Sequence, residues 1–231
     1  RRKPNPEGRP GYLRVDSVHQ GDLNGVKGVY LINAVDEVTQ YEFVGVVAHL
    51  SELFVLPLLR ALLAFFPFVI RGFHADNGSE YINRLVAELL NKLHIGFTKS
   101  RARHSNDNAL AESKNGSVVR KYLGYEHIPS HHAQAVNAFT VELLTPYLNF
   151  HRPCFFPSTR TDKKGRIKKF YLYKNMMTPF DKFKSLPEAH TFLKSGVTLS
   201  ALDALSLSMT DNEAVERMNK ARTKLFEKIR L

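Results

Sequence analysis

Residues 68–100 read FVIRGFHADNGSEYINRLVAELLNKLHIGFTKS, and three kinds of patterning follow one another within that stretch. The apolar run 68–75 is bounded by Pro67 and by Asp76-Asn77-Gly78, the signature of a strand ending in a tight turn. Ile82, Leu85, Val86, Leu89, Leu90 and Leu93 then recur at the three-and-four spacing of one helix face. Residues 95–98 make a second short strand. Strand, turn, amphipathic helix and strand in succession specify an α/β protein.

Toward the N-terminus, residues 12–18, 28–35 and 40–47 are short, apolar-biased segments, and Asp36-Glu37-Val38-Thr39 joins the last two as a hairpin connection. They predict a three-stranded meander. Ser51 followed by Glu52 begins a helix. The long apolar stretch 53–70 is interrupted by Pro57, Arg60 and Pro67. It therefore reads as a core helix and a buried strand, and no membrane span is expected. Toward the C-terminus, residues 106–123 form a helix capped by Ser105, and 131–150 another. The whole order predicts a mixed sheet flanked by helices.

Composition narrows the function. Of 231 residues, 43% are hydrophobic and 24% charged, which excludes wholesale disorder. The net charge of +11 suits a polyanionic partner. One cysteine, Cys154, excludes an intrachain disulfide and cysteine-rich zinc sites, and it reads as a small buried apolar residue. Residues 1–11 are a basic, Pro/Gly-rich linker without the apolar segment of a signal peptide. Beyond residue 153 the chain changes to a basic segment, 160–174, and a set of helical patterns ending with 211–229.

In so basic a chain, the informative groups are carboxylates at the ends of predicted elements. Asp16 lies at the first strand, Asp76 after the fourth, and Glu112 within the helix from 106, with 35 residues between the last two. On a helical wheel Glu112 sits at the seam between the packing stripe of Val118, Val119 and Tyr122 and the exposed face. Three carboxylates on neighbouring elements make an oxygen-only site for Mg²⁺ or Mn²⁺ rather than zinc. Two such ions suit in-line phosphoryl displacement. Each residue taken alone has an ordinary reading as a turn former or a solvated helix residue.

Local motifs reinforce the spacing: VDSVHQGD at 15–22, FHADNGSEYIN at 73–83, SRARHSNDNALAESKNGSVVRK at 100–121, YLNFHRPC at 147–154 and TPF at 178–180. With them the stretch 12–153 resembles the catalytic core of insertion-sequence transposases and retroviral integrases, the bacterial transposases most. The resemblance implies a ribonuclease H-like mixed five-stranded sheet flanked by helices, with residues 154–231 as a basic hairpin and helical extension. It implies that Asp16, Asp76 and Glu112 hold two Mg²⁺ or Mn²⁺ ions and catalyse DNA nicking and strand transfer. It further implies DNA as partner, a homo-oligomer assembled on it, and a bacterial cytoplasmic location. The alternative is a truncated, non-catalytic transposase-derived DNA-binding protein. A nuclease acting on RNA–DNA hybrids is disfavoured by the Asp76-to-Glu112 spacing.

Lys99, Arg101, Arg103, Lys114, Arg120 and Lys121 cluster in sequence around the candidate site and are expected at the DNA backbone. Asn77, Gly78 and Asn108 are expected to shape the site, and Gly116, one turn after Glu112, to pack tightly. The 160–174 segment reads either as a hairpin tracking DNA with Tyr or Phe on unpaired bases, or as a solvated loop.

Overall fold

The computed structural model describes residues 5–75, 80–100, 107–163 and 165–230; within the first long helix of the second stretch, the side chains of 80–83, 85 and 86 are outside that description. Strand β1 (Tyr12–His19) is followed by a small excursion, β2 (Asp22–Leu23) and β3 (Val26–Lys27), then by β4 (Tyr30–Asp36) and β5 (Glu42–Val47). Next come helix α1 (Glu52–Phe65), strand β6 (Gly72–Ala75), helix α2 (Glu80–Lys92) and strand β7 (Gly96–Lys99). The sheet order is β5-β4-β1-β6-β7. β1, β4 and β5 pair antiparallel, while β6 is parallel to both β1 and β7. This mixed five-stranded sheet, flanked by helices, is compatible with a ribonuclease H-like fold. The tiny β2–β3 pair was not legible in the sequence, since two residues per strand carry no periodicity.

The helix expected over 106–123 is three pieces in one run: α3 (Ala109–Lys114), a π-helical turn at Asn115–Arg120, and α4 (Lys121–Leu123). Asn108, rather than Ser105, is its N-cap residue, and residue 105 lies outside the described residues. The expected helix 131–150 contains α5 (Ala133–Phe139), a second π turn at Thr140–Leu144, and α6 (Thr145–Phe150). A two-stranded ribbon follows, β8 (Cys154–Thr161) with β9 (Ile167–Met177), then α7 (Pro179–Lys184), α8 (Leu199–Ser206) and α9 (Asp211–Ile229).

Alternating strand residues feed two cores. Ile32, Ala34, Phe43 and Val47 face α1 through Val55, Leu59 and Leu62, and Phe180 and Phe183 of α7 join that layer. Leu31, Val44 and Val46 face the other way, onto Val118, Val119, Val136 and Leu144. Because β4 and β5 are covered on both faces, they read as near-continuous apolar runs. α9 closes the second layer with Met218 and Leu225, so its apolar face is occupied within the chain rather than left for self-association. His151 adds a tie to this helix, its Nδ1 being 3.0 Å from Asp211 Oδ1.

β5 is an edge strand, yet its outward N–H groups are satisfied by side chains. Glu42, Val44 and Val46 donate to Asn149 Oδ1, Thr145 Oγ1 and Asn137 Oδ1 at 2.8, 3.3 and 2.8 Å. Asn149 Nδ2 returns a bond to the Glu42 carbonyl at 2.7 Å. A row of helix side chains thus substitutes for a sixth strand. At the β4–β5 turn, Asp36 is buried and accepts from the backbone of Gly11, Val38 and Thr39 and from the Thr39 hydroxyl. That structural role agrees with its reading as a turn residue.

Candidate active site

Of the candidate carboxylates, Asp16 lies on β1 and Glu112 on α3. In the register, Val15 lies opposite Ala75 of β6 and Ala75 opposite Lys99 of β7. Asp16 is therefore one residue past the last described pair of parallel strands, on the side where Lys99 ends β7. Across the antiparallel neighbour, Asp16 pairs in register with Asn33 of β4. Its carboxylate is half-buried. One oxygen accepts the Ser17 backbone N–H at 2.8 Å, and the other accepts Asn115 Nδ2 at 2.6 Å.

Asn115 opens the π turn directly after α3. Its side-chain oxygen in turn accepts from Asn33 Nδ2 at 3.2 Å, so Asn33, Asn115 and Asp16 form a chain of amide donors ending on a carboxylate. Glu112 is exposed on α3, three residues before Asn115. The Asn115–Asp16 bond therefore ties β1 to the helical run that carries Glu112. Asn115 and Asn33 were missed in the sequence. The offset of three from Glu112 was the available signal, but the partner lies 99 positions away in the chain.

Asn108, expected to shape the site, binds the backbone of β1 one residue before Asp16. It is buried, donates to the Val15 carbonyl at 3.2 Å, and its Oδ1 meets no donor among the described residues. Asp76, Asn77, Gly78, Arg101 and Arg103 lie outside the described residues. Among the described residues no group of three His, Cys, Asp or Glu side chains is placed to hold a metal ion. Asp16 and Glu112 carry hard carboxylate oxygens. These two residues fit an oxygen-ligated divalent cation.

The cations divide. Lys99 and Lys121 reach the surface, lying over Phe97 and Tyr122 at 5.8 and 5.7 Å from the ring centres. Arg120 is turned inward: it donates to Gln20 Oε1 at 2.9 Å and the His19 carbonyl at 3.3 Å, tying the end of β1 to the π turn. Lys114 departs furthest from expectation. Its side chain is 7% exposed, with Nζ 3.3 Å from the buried Glu42 carboxylate and 3.5 Å from Cys154 Sγ. It points into the layer between α3 and β5 and not toward a DNA backbone. Burial pushes the Glu42 carboxyl above its ordinary range, and the Lys114 charge pulls it partly back. Cys154, beside that ammonium, is half-exposed instead of fully buried.

Gly116 also differs: a Cβ there would meet nothing within 4 Å, so it marks open surface and not tight packing. His74 is fully buried and satisfied, with ring nitrogens 2.9 Å from Thr98 Oγ1 and 3.2 Å from Ser100 Oγ. On the far side of α3, a cleft of about 870 Å³ separates that helix from the β8–β9 ribbon.

No protein-family model matches the chain. A curated relative, the uncharacterized protein y4rM of Sinorhizobium fredii (strain NBRC 101917 / NGR234), is 32% identical over 164 residues, covering 70% of this chain and 47% of its own. The chain thus spans about half the length of that relative. A chain in the cryoEM structure of the simian T-cell lymphotropic virus intasome in complex with PP2A regulatory subunit B56 gamma aligns with a TM-score of 0.42 at 20% identity. The alignment covers 57% of this chain and 48% of that one.

Proposed function

We propose that the protein is a divalent-metal-dependent DNA strand-transfer enzyme of the transposase and integrase type, with Asp16, Asp76 and Glu112 as its metal-binding carboxylates. The observation that carries the reading is the 2.6 Å bond from Asn115 to Asp16. It ties the strand of the first carboxylate to the helical run that carries the third, and Ala75, the residue before Asp76, lies alongside Val15. The sequence motifs around all three residues add the chemistry.

In this reading Asp16 and Glu112 supply carboxylate oxygens to Mg²⁺ or Mn²⁺, and Asn115 fixes the orientation of the Asp16 oxygens. The metal supplies activation of an attacking hydroxyl and charge stabilisation at the phosphorus. Lys99 and Lys121 attract the phosphate backbone, and the +11 charge concentrates DNA at the surface. DNA ends and target DNA are the substrates, and copies of the chain assemble on them.

The test is Mn²⁺-dependent joining of labelled duplex DNA to a target plasmid, with DNA binding measured in parallel. Asp16→Asn, Asp76→Asn and Glu112→Gln each abolish joining while leaving binding within about threefold. Joining that persists in any of the three refutes the assignment.

A further inference from the structure

The ribbon β8–β9 forms a sheet of its own, apart from the five-stranded one. Two strands alone are marginal in water, and this ribbon leaves large side chains exposed: Tyr171 at 59% and Phe155 at 39%. Side chains alternate between its faces. Lys169 and Tyr171 line the cleft of about 870 Å³ against α3, whose Ser113, the neighbour of Glu112, forms part of the opposite wall. Lys168 and Phe170 consequently face away, where Phe170 lies under the Arg160 guanidinium at 5.6 Å.

The charge in the cleft is one-sided. Three of its ionic groups are already matched, Glu37 with Arg14 and Lys114 with Glu42, and Asp107 is buried. Arg152, Lys169 and Lys182 also line it; Arg152 donates to the Ser117 carbonyl at 3.1 Å and its charge acts on Glu42, while neither Lys169 nor Lys182 forms a salt bridge with a carboxylate among the described residues. Cations interleaved with exposed aromatic rings suit a strand whose phosphates and bases are both accessible. A cleft of this size is on the scale of a small-molecule pocket. It admits a few nucleotides of one strand, and a duplex would not enter.

We infer that the cleft between α3 and the β8–β9 ribbon binds single-stranded DNA, with bases on Tyr171 and Phe155 and phosphates on Arg152, Lys169 and Lys182. This rests on the reading of the chain as a strand-transfer enzyme and adds a path for an unpaired strand leading away from Glu112.

The experiment is fluorescence anisotropy of the full chain with a short labelled oligothymidine and with a blunt duplex of equal length, in EDTA. Tyr171→Ala weakens single-strand binding roughly tenfold and duplex binding less than twofold, while Tyr171→Phe restores the single-strand affinity. Lys169→Ala lowers the slope of log K against log salt by about 0.7 on the single strand. Phe170→Ala, on the opposite face, leaves both affinities unchanged, and circular dichroism verifies that each variant is folded. Equal losses on the two DNAs, no loss in Tyr171→Ala, or an equal loss in Phe170→Ala overturns the assignment. Asp16→Asn retains this binding if the cleft is assigned correctly, whereas its joining activity reports on the metal site, so the two readings fail separately.

Discussion

Replacing Lys114 by methionine separates its two readings, since the substitution keeps most of the side-chain volume and removes the charge. Lys114 Nζ and Glu42 Oε2 are 3.3 Å apart, with side chains 7% and 1% exposed. At an effective dielectric constant of 20, their attraction is about 5 kcal/mol, set against a desolvation cost of several kcal/mol for each ion. The pair as a whole therefore contributes little, but removing Lys114 leaves Glu42 buried with the weaker influence of Arg152 to offset its charge. Glu42 Oε1 has no hydrogen-bond partner among the described residues, which makes the remaining carboxylate costlier still. Lys114→Met should lose about 3–5 kcal/mol at neutral pH, measured by urea denaturation.

The sign of the pH dependence follows from Glu42. Its folded value is already raised above 4.5 by burial, and without Lys114 it rises further. The stability of the variant is then greatest below about 4.5 and falls as pH rises through the folded value, so the deficit against the parent is smaller at pH 5 than at pH 7. Glu42→Gln in the Lys114→Met background recovers much of the loss. A Lys114→Met protein within about 0.5 kcal/mol of the parent, the range of ordinary surface changes, would refute the buried pairing and return Lys114 to the surface.

Asn115→Ala frees the Asp16 carboxylate and should reduce Mn²⁺-dependent joining about 10- to 100-fold, the usual cost of losing a partner that orients a metal ligand; unchanged activity, with DNA binding intact, would remove Asn115 from the site. Asp36 titrates at about 6 in the folded chain against 3.8 as a free side chain, because burial outweighs its hydrogen bonds. Its contribution is complete below pH 3.8 and is lost as pH rises through 6, a fall of about 3 kcal/mol that should be missing from the stability profile of Asp36→Asn. Thr210→Ala removes the side-chain cap of α9 and should cost about 1 kcal/mol, read as a lowered melting temperature. Gly116→Ala, facing open space in a helical turn, should gain up to about 1 kcal/mol.

The elements legible in the sequence are those whose signal is local. The strands of β1, β4, β5, β6 and β7 and the length of α2 follow from apolar runs and periodicity read within a dozen residues. Leu90 of α2 enters the core as its stripe requires, although Leu93, at the end of the same stripe, is 50% exposed just past the helix. What escaped depends on residues brought together from afar. The inward turn of Lys114 requires Glu42, far earlier in the chain at the start of β5. The Asp16–Asn115 contact joins residues 99 positions apart, and the π turn that Asn115 opens leaves no mark in composition. Counting cations near Glu112 could not separate Lys121, on the surface, from Arg120, bound to Gln20 and the His19 carbonyl.

The amides of Glu42, Val44 and Val46, engaged by Asn149, Thr145 and Asn137, also bear on how copies of this chain can meet. With its donors taken by side chains of α5 and α6, the β5 flank offers no template on which a neighbour's strand could nucleate, and fibre-like growth is blocked along that border. The multimer proposed above would have to recruit its neighbours through helices, loops, the ribbon or the opposite border at β7, and a substitution at Asn149 would reopen a seam that the native chain keeps shut.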